Sequence, residues 1–286
     1  TRLSQNLLHD NQRPPFASVL KGGMMSQDIF VEVGHGPTLI DNNIMLSDAS
    51  LRFATEGVAL VHNLICGALT CVGDGTGPRY TPYHIPHRTE VMGFMTVLHG
   101  DDRFYNNIFV QKWPSDDIIT MHDSDDGFDT ENRAAGTWMF DEYPTYDEWI
   151  SQFDFTKPAD MMKLSGAHDG HLPVWIEGNA YLGGAKPSKK DVNALISAVA
   201  REDVRVELVQ KEDGYYLDTN VYELIEGFKN RMIDSDVLGK AFEPEERFEN
   251  PDGTAIRFDS DYFGTHRGVD VIPVSYTHLT LPTLNR

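Results

Sequence analysis

Two stretches of this sequence carry side chains able to move protons. In DIFVEVGHGPTLIDNN, residues 28–43, Glu32 stands between two valines and His35 follows three residues later. Period-2 alternation sends Ile29, Val31 and Val33 to one face of a strand and Phe30 and Glu32 to the other. A carboxyl held against apolar surface gives up its proton less readily, which is what a general acid working near neutrality requires. The plain alternative is a solvated outward glutamate. His35, in GHG, either holds a substrate hydroxyl or is satisfied by backbone.

The second stretch spans residues 84–103. HIPHRTE contains His84, His87 and Glu90, but Pro86 and the lack of helical spacing argue against zinc, leaving a substrate wall or a polar corner. GDDR then supplies Asp101, Asp102 and Arg103. Two adjacent carboxylates could be catalytic, yet binding Arg103 and capping a turn suits them better. Further on, DSDDGFDTE has the composition of a calcium loop but misses the EF-hand spacing. No metal or other cofactor is expected.

The elements that must position these residues are strands. An apolar residue, a polar pair ending in Asn and then aliphatics recur at Asn6, Asn43, Asn63 and Asn107 and, more loosely, at Asn179. Asn43 and Asn63 are 20 residues apart, close to the period of one coil in a strand solenoid. Stacked coils would set equivalent asparagines one strand spacing apart, about 4.8 Å, as an amide ladder. A β-sandwich, whose strands also recur at short intervals, is the competing architecture. The insertions RPPFASVLKGGMMSQ and CVGDGTGPRYTPYHIPHRTE, rich in Pro, Gly and His, read as loops over one face.

Residues 1–112 are therefore expected to form parallel β-helix coils carrying the Glu32 strand, and 113–273 further coils with a partly helical α/β decoration. Within the latter, EYPTYDEWISQF suggests a short helix and VRVELVQKEDGYYLDT a hairpin. SKKDVNALISAVAR reads as a helix, with Ser188 and Asp191 as a capping box and Val192, Leu195, Ile196 and Val199 on one face. From Val274, VSYTHLTLPTLNR breaks the texture and matches the translation of a transposase-type sequencing adapter. Residues 274–286 are accordingly set aside as non-native.

With 286 residues, 40% of them hydrophobic, the chain can bury a substantial core. Its formal charge of −20 disfavours nucleic acid and anionic membranes as partners and suits a neutral or cationic small substrate. No run approaches the ~20 apolar residues of a membrane span. Two cysteines, Cys66 and Cys71, in an apolar run read as buried thiols of a reducing compartment, so a cytoplasmic location is expected.

FVEVGHGPTLIDNNIMLS, LVHNL, TPYHIPHRTEVMG, GDDRFYNNIFV and the closing FENPDG and DYFG segments together resemble glycoside hydrolase family 120, β-xylosidases built on a right-handed parallel β-helix. The resemblance runs from residue 1 to about 273. It implies that Glu32, in the family's F-V-E-V-x-H-G-P motif, is the general acid/base; His35, His84, His87, Glu90 and Asp102 are the candidate substrate-binding residues read from the sequence itself. It also implies a nucleophilic aspartate in a W-L-D-W motif just ahead of TRLSQNLLHDN, so the chain reads as a C-terminal fragment lacking that residue. The family's upstream sandwich domain is missing too. The insertion RPPFASVLKGGMMSQ departs from the family pattern and puts the xylose preference in doubt. A small oligosaccharide substrate and a homo-oligomer are further implications.

Two other readings compete. A pectin-cleaving β-helix enzyme also carries G-H-G and D-D, but there D-D comes first and an R-I-K motif follows, which this chain lacks. A non-catalytic β-helix adhesin or carbohydrate-binding protein would need no paired carboxylates.

Overall fold

The computed structural model describes residues 1–11, 27–72, 80–113, 116–123, 129–154, 156–157, 170–268 and 271–272. Most of the RPPFASVLKGGMMSQ insertion, the centre of the acidic DSDDGFDTE loop and the whole 274–286 tail lie outside the described residues. The protein is strand-dominated. The chain circuits three sheets in turn, laying down β1 (Arg2–Ser4), β2 (Leu7–Leu8) and β3 (Ile29–Glu32), then β4 (Thr38–Asp41), β5 (Ile44–Met45) and β6 (Ala49–Ala54). A third circuit gives β7 (Val58–Val61), β8 (Leu64–Ile65) and β9 (Ala68–Val72).

Later circuits are decorated. An antiparallel arm, β10 (Tyr80–His84) with β11 (Val91–Thr96), precedes β12 (Asp102–Tyr105) and β13 (Ile108–Val110). A second hairpin, β14 (Ile119–Asp123) with β15 (Asp129–Ala134), adds antiparallel to β9. Helix α1 (Tyr146–Ile150) carries the Thr145/Glu148 capping box, so the short helix expected from EYPTYDEWISQF is present. The circuit then resumes with β16 (Val174–Glu177), β17 (Ala180–Leu182) and β18 (Leu195–Ile196). The first sheet runs β1-β4-β7-β12-β16 and the second β18-β17-β13-β8-β5-β2, all parallel. The third runs β14-β15-β9-β6-β3, parallel from β9 to β3.

Register turns alternation into a core. Leu3, Ile40, Leu60, Phe104 and Ile176 fall in one column of the first sheet. Met45, Ile65, Phe109 and Tyr181 face them from the second sheet, and Leu51, Phe53, Leu69 and Cys71 from the third. Phe53, Phe104 and Phe140 meet at centroid distances of 4.7–6.0 Å and fill the centre. Each such side chain contributes roughly 1.5–3 kcal/mol by burial. The outer faces are covered as well. The hairpin β19 (Val206–Lys211) with β20 (Gly214–Thr219), where the sequence predicts one, packs Val206 and Leu217 against Ile44, Leu64 and Ile108. Across the first sheet, Ile233, Leu238, Phe248, Ile256 and Phe258 cover Leu39, Ala59, Val61 and Tyr105. Strands buried on both faces read as near-continuous apolar runs, as LIDNNIML and LVHNLI do.

The amide ladder is present in full. Asn6 Nδ2 donates to Asn43 Oδ1, Asn43 to Asn63, Asn63 to Asn107 and Asn107 to Asn179, at 2.9–3.0 Å. Each of these oxygens also accepts the backbone amide of the asparagine one circuit earlier. The residue before each asparagine has positive φ: Gln5 59°, Asn42 54°, His62 57°, Asn106 54° and Gly178 73°. This left-handed step turns the chain from the first sheet into the second.

The helix expected over 188–201 does not form. Val192 N bonds Ile176 O, Leu195 N bonds Asn179 O and Ser197 N bonds Tyr181 O, so these amides pair with the preceding circuit instead of with i−4 carbonyls. Asp191 does not cap a helix. Its Oδ2 ends the ladder by accepting from Asn179 Nδ2 and Tyr181 Oη. Asn193, with φ 62°, repeats the left-handed corner of the earlier circuits. Val192 and Ile196 are about two-thirds exposed, as the edge of a stack permits.

Candidate active site

A second polar column runs down the corner where the third sheet passes into the first. His35-Gly36, Glu56-Gly57 and His99-Gly100 occupy this corner on successive circuits, and their glycines have φ of +73°, +72° and +86°. The packing admits only glycine, since a Cβ at Gly36 would lie 2.5 Å from Gly57 O and one at Gly100 2.2 Å from Leu172 O. Close stacking of the backbone brings the preceding side chains into contact.

His35 is 3% exposed. Its Nδ1 lies 2.5 Å from Glu56 Oε1, and its Nε2 donates to Thr81 O at 3.1 Å. Because a carbonyl only accepts, Nε2 must carry a proton; a second proton then sits between Nδ1 and the Glu56 carboxylate. Burial lowers the His35 pKa, but the Glu56 bond and charge outweigh it and the net shift is upward. With both protons in place the pair carries no net charge. The other Glu56 oxygen accepts Leu98 N at 2.8 Å. Deeper in the column His99 donates Nδ1 to Thr55 O at 3.2 Å, and burial together with His171 pushes its pKa down to about 4.

Asp101 and Arg103 form the next layer. Asp101 Oδ1 meets Arg103 Nη1 at 2.7 Å, and Asp101 Oδ2 accepts Phe242 N at 2.8 Å. Arg103 also donates to Leu238 O and Lys240 O, at 2.9 and 2.7 Å, and so pins the C-terminal segment to this corner. Burial pushes Asp101 up to about 6 against the pull of Arg103. Next to Phe242, Glu243 faces the same cluster, and its Oε1 is covered without a hydrogen-bond partner among the described residues. Burial and the Glu56 charge push Glu243 up to about 7, with His35 opposing. Beyond Asp101 a cleft of about 260 Å³ opens between Tyr146, Trp149, Trp175 and Phe242.

The sequence-predicted residues separate into three groups. Glu32 is exposed at the end of β3, opposite Ala54 of β6, with Phe30 exposed on the same face and covered by the Arg52 guanidinium 4.6 Å from its ring. The alternation read from IFVEV holds over β3, where Ile29 is buried and Val31 packs on the core, but not at Val33, which lies past the strand's end with φ 52° and is not on the core face of a strand. His35 lies in the buried corner, its two ring nitrogens both engaged. His84, His87 and Glu90 are gathered at the tip of the β10–β11 arm, where His87 Nε2 meets Glu249 Oε1 at 2.9 Å and Glu90 lies 3.4 Å from Arg88. Asp102 is 1% exposed, and its Oδ1 accepts Val58 N at 3.1 Å, which fits the turn-capping reading of GDDR.

Sequence reasoning missed Thr55, Glu56, His99 and Glu243. A signal for Glu56 existed: HG at 35–36, EG at 56–57 and HG at 99–100 repeat one polar residue before glycine, with the first interval close to the asparagine period. Glu243 is far away along the chain and left no such signal.

No protein-family model matches the chain, and no curated protein matches it. Among solved structures it is similar to XylC in complex with xylose, with 28% sequence identity and a TM-score of 0.75, over 98% of this chain. The chain spans 38% of the length of that chain. No helix among the described residues is long and apolar enough to cross a membrane. A strand-dominated fold shared with a xylose-binding protein is thus the frame in which the two polar columns stand.

Proposed function

We propose that this chain carries the acid/base part of a retaining glycoside hydrolase acting on β-xylosides and small xylo-oligosaccharides, on a right-handed parallel β-helix. The observation that carries the reading is the likeness to XylC with xylose over nearly the whole chain. Glu32, on the outward face of β3 within FVEVGHGP, supplies the carboxyl.

In this reading Glu32 protonates the glycosidic oxygen as a carboxylate attacks the anomeric carbon, and then deprotonates the water that releases xylose. Retention needs the two carboxyl groups about 5–5.5 Å apart, and neighbouring strands are spaced by about 4.8 Å. β3 ends its sheet, with β6 on one side and, among the described residues, none on the other. A nucleophilic aspartate on a strand paired to that free edge, ahead of Thr1 in sequence, meets the distance without special loops.

The test is the stereochemistry of the full-length gene product on an aryl β-xyloside, followed by proton NMR. Release of β-xylose first, with slow mutarotation, supports the reading. α-Xylose released first, or hydrolysis of polygalacturonate instead, would sink it.

A further inference from the structure

Val33, the residue after the candidate acid, has φ 52°. A β-branched residue in the left-handed region is strained and persists only where its surroundings over-determine it. Here they do. Val33 N bonds Ala54 O at 2.8 Å, Gly34 N bonds Thr55 Oγ1 at 3.1 Å, Thr55 Oγ1 donates back to Gly34 O at 2.7 Å, and Glu56 N bonds Gly34 O at 3.2 Å. Three residues beyond Glu32, the His35–Glu56 pair closes the segment, tying it to the β10–β11 arm through Thr81 and to Leu98 through the second Glu56 oxygen.

We propose that Thr55 and Glu56 are positioning residues for Glu32, the buried His35–Glu56 pair acting as the clamp that holds the strained Val33 turn and so fixes the direction in which the Glu32 carboxyl leaves the wall. This rests on the functional reading above, with Glu32 as acid/base. The groups facing the clamp are Thr81 and Tyr83 from β10, Glu243 from the C-terminal segment and, on the Glu56 side, Asp101 and Asp102. His35 itself has no ring nitrogen left for a sugar hydroxyl. Its role is to carry the charge that Glu56 needs in order to be buried.

Two measurements separate the clamp from the functional reading. In the 286-residue chain labelled with 15N-histidine, long-range proton–nitrogen spectra at pH 7 are expected to show both His35 nitrogens protonated, and Glu56→Gln to remove that state. A neutral His35 in the unsubstituted chain would overturn the clamp, whatever Glu32 does. In the full-length gene product, Glu56→Gln and Val33→Gly are each expected to lower kcat about 10-fold or more, with KM within about twofold, since misplacing a reacting group acts on the transition state. Val33→Gly relieves strain, so its unfolding midpoint should not fall. That split between activity and stability is what a merely structural role would not give, and unchanged kcat in Val33→Gly would overturn the positioning role. Full activity of Glu32→Ala would instead remove the functional reading, and the positioning role with it, while leaving the His35 spectra as they are.

Discussion

The two polar columns use the same device and differ in what they stack. At the corner between the first and second sheets, Asn43, Asn63 and Asn107 each donate to the next asparagine and accept from the one before, with Asn6 and Asn179 at the ends, so the column is satisfied by simple translation. At the corner between the third and first sheets the stacked side chains are ionisable, and translation would set like charges against one another. His35, Glu56 and His99 alternate instead: a raised imidazole, a carboxylate and an imidazole kept neutral by burial. A repeat that can be copied unchanged holds a fold together, whereas one that must be varied from circuit to circuit marks a place where charge is managed.

The sharpest way to break this contrast is to interrupt the amide column. Asn63→Ala strips the buried Asn43 backbone amide of its acceptor, leaves Asn43 Nδ2 only Leu3 O and Asn107 Oδ1 only the backbone amide of residue 63, and removes the Nδ2 donor from Ile40 O. One buried amide is left unpaired and three more buried groups each lose a partner, so a loss on the order of 3 kcal/mol is expected in denaturant unfolding. A loss under about 1 kcal/mol would mean the ladder is incidental.

The ionisable column should respond to pH where the amide column does not. His99 has its pKa lowered from an ordinary 6.5 to about 4 by burial. A lowered histidine contributes stability that is complete above pH 6.5 and is lost as pH falls from there toward 4, because only the unfolded chain takes up the proton. Between pH 7.5 and 5 the native chain should therefore lose about 2 kcal/mol more than His99→Gln. Raised Asp101 and Glu243 work in the opposite direction, losing stability as pH rises through the range between their ordinary values and about 6 and 7. They are present in both proteins and cancel in the difference. Equal pH dependence of the two would show that His99 takes up its proton as readily in the fold as in the unfolded chain.

The smallest effect belongs to the circuit that the sequence misassigns. On a helix Val192 would lie on the buried face, but it is 65% exposed here, so Val192→Ser should change stability by less than about 0.5 kcal/mol. A loss above about 1.5 kcal/mol would restore the helix.

How much could be read in advance follows from what repeats. The asparagine step, the alternation around Glu32 and the β19–β20 hairpin each bear their signal within a few adjacent residues, so the strand-dominated stack was legible. The 188–201 segment was not, because Val192, Leu195 and Ile196 have helical spacing and only pairing with Ile176, Asn179 and Tyr181 overrides it. The site was half legible. His35 was visible as a residue, but its partner Glu56 required knowing which circuit lies above which. Glu243 required knowing where the C-terminal segment returns, which the Arg103 bonds to Leu238 and Lys240 decide.

The central claim is that Glu32 is the proton-transferring carboxyl of a retaining enzyme. Its most direct test is Glu32→Ala in the full-length gene product, assayed on an aryl β-xyloside with and without azide. A fall in kcat of about 10²–10⁴-fold, with azide restoring turnover and yielding β-xylosyl azide, is the predicted result. Undiminished activity without azide would contradict it, and the proton donor would then have to be sought elsewhere along the ionisable column, beginning with Glu243.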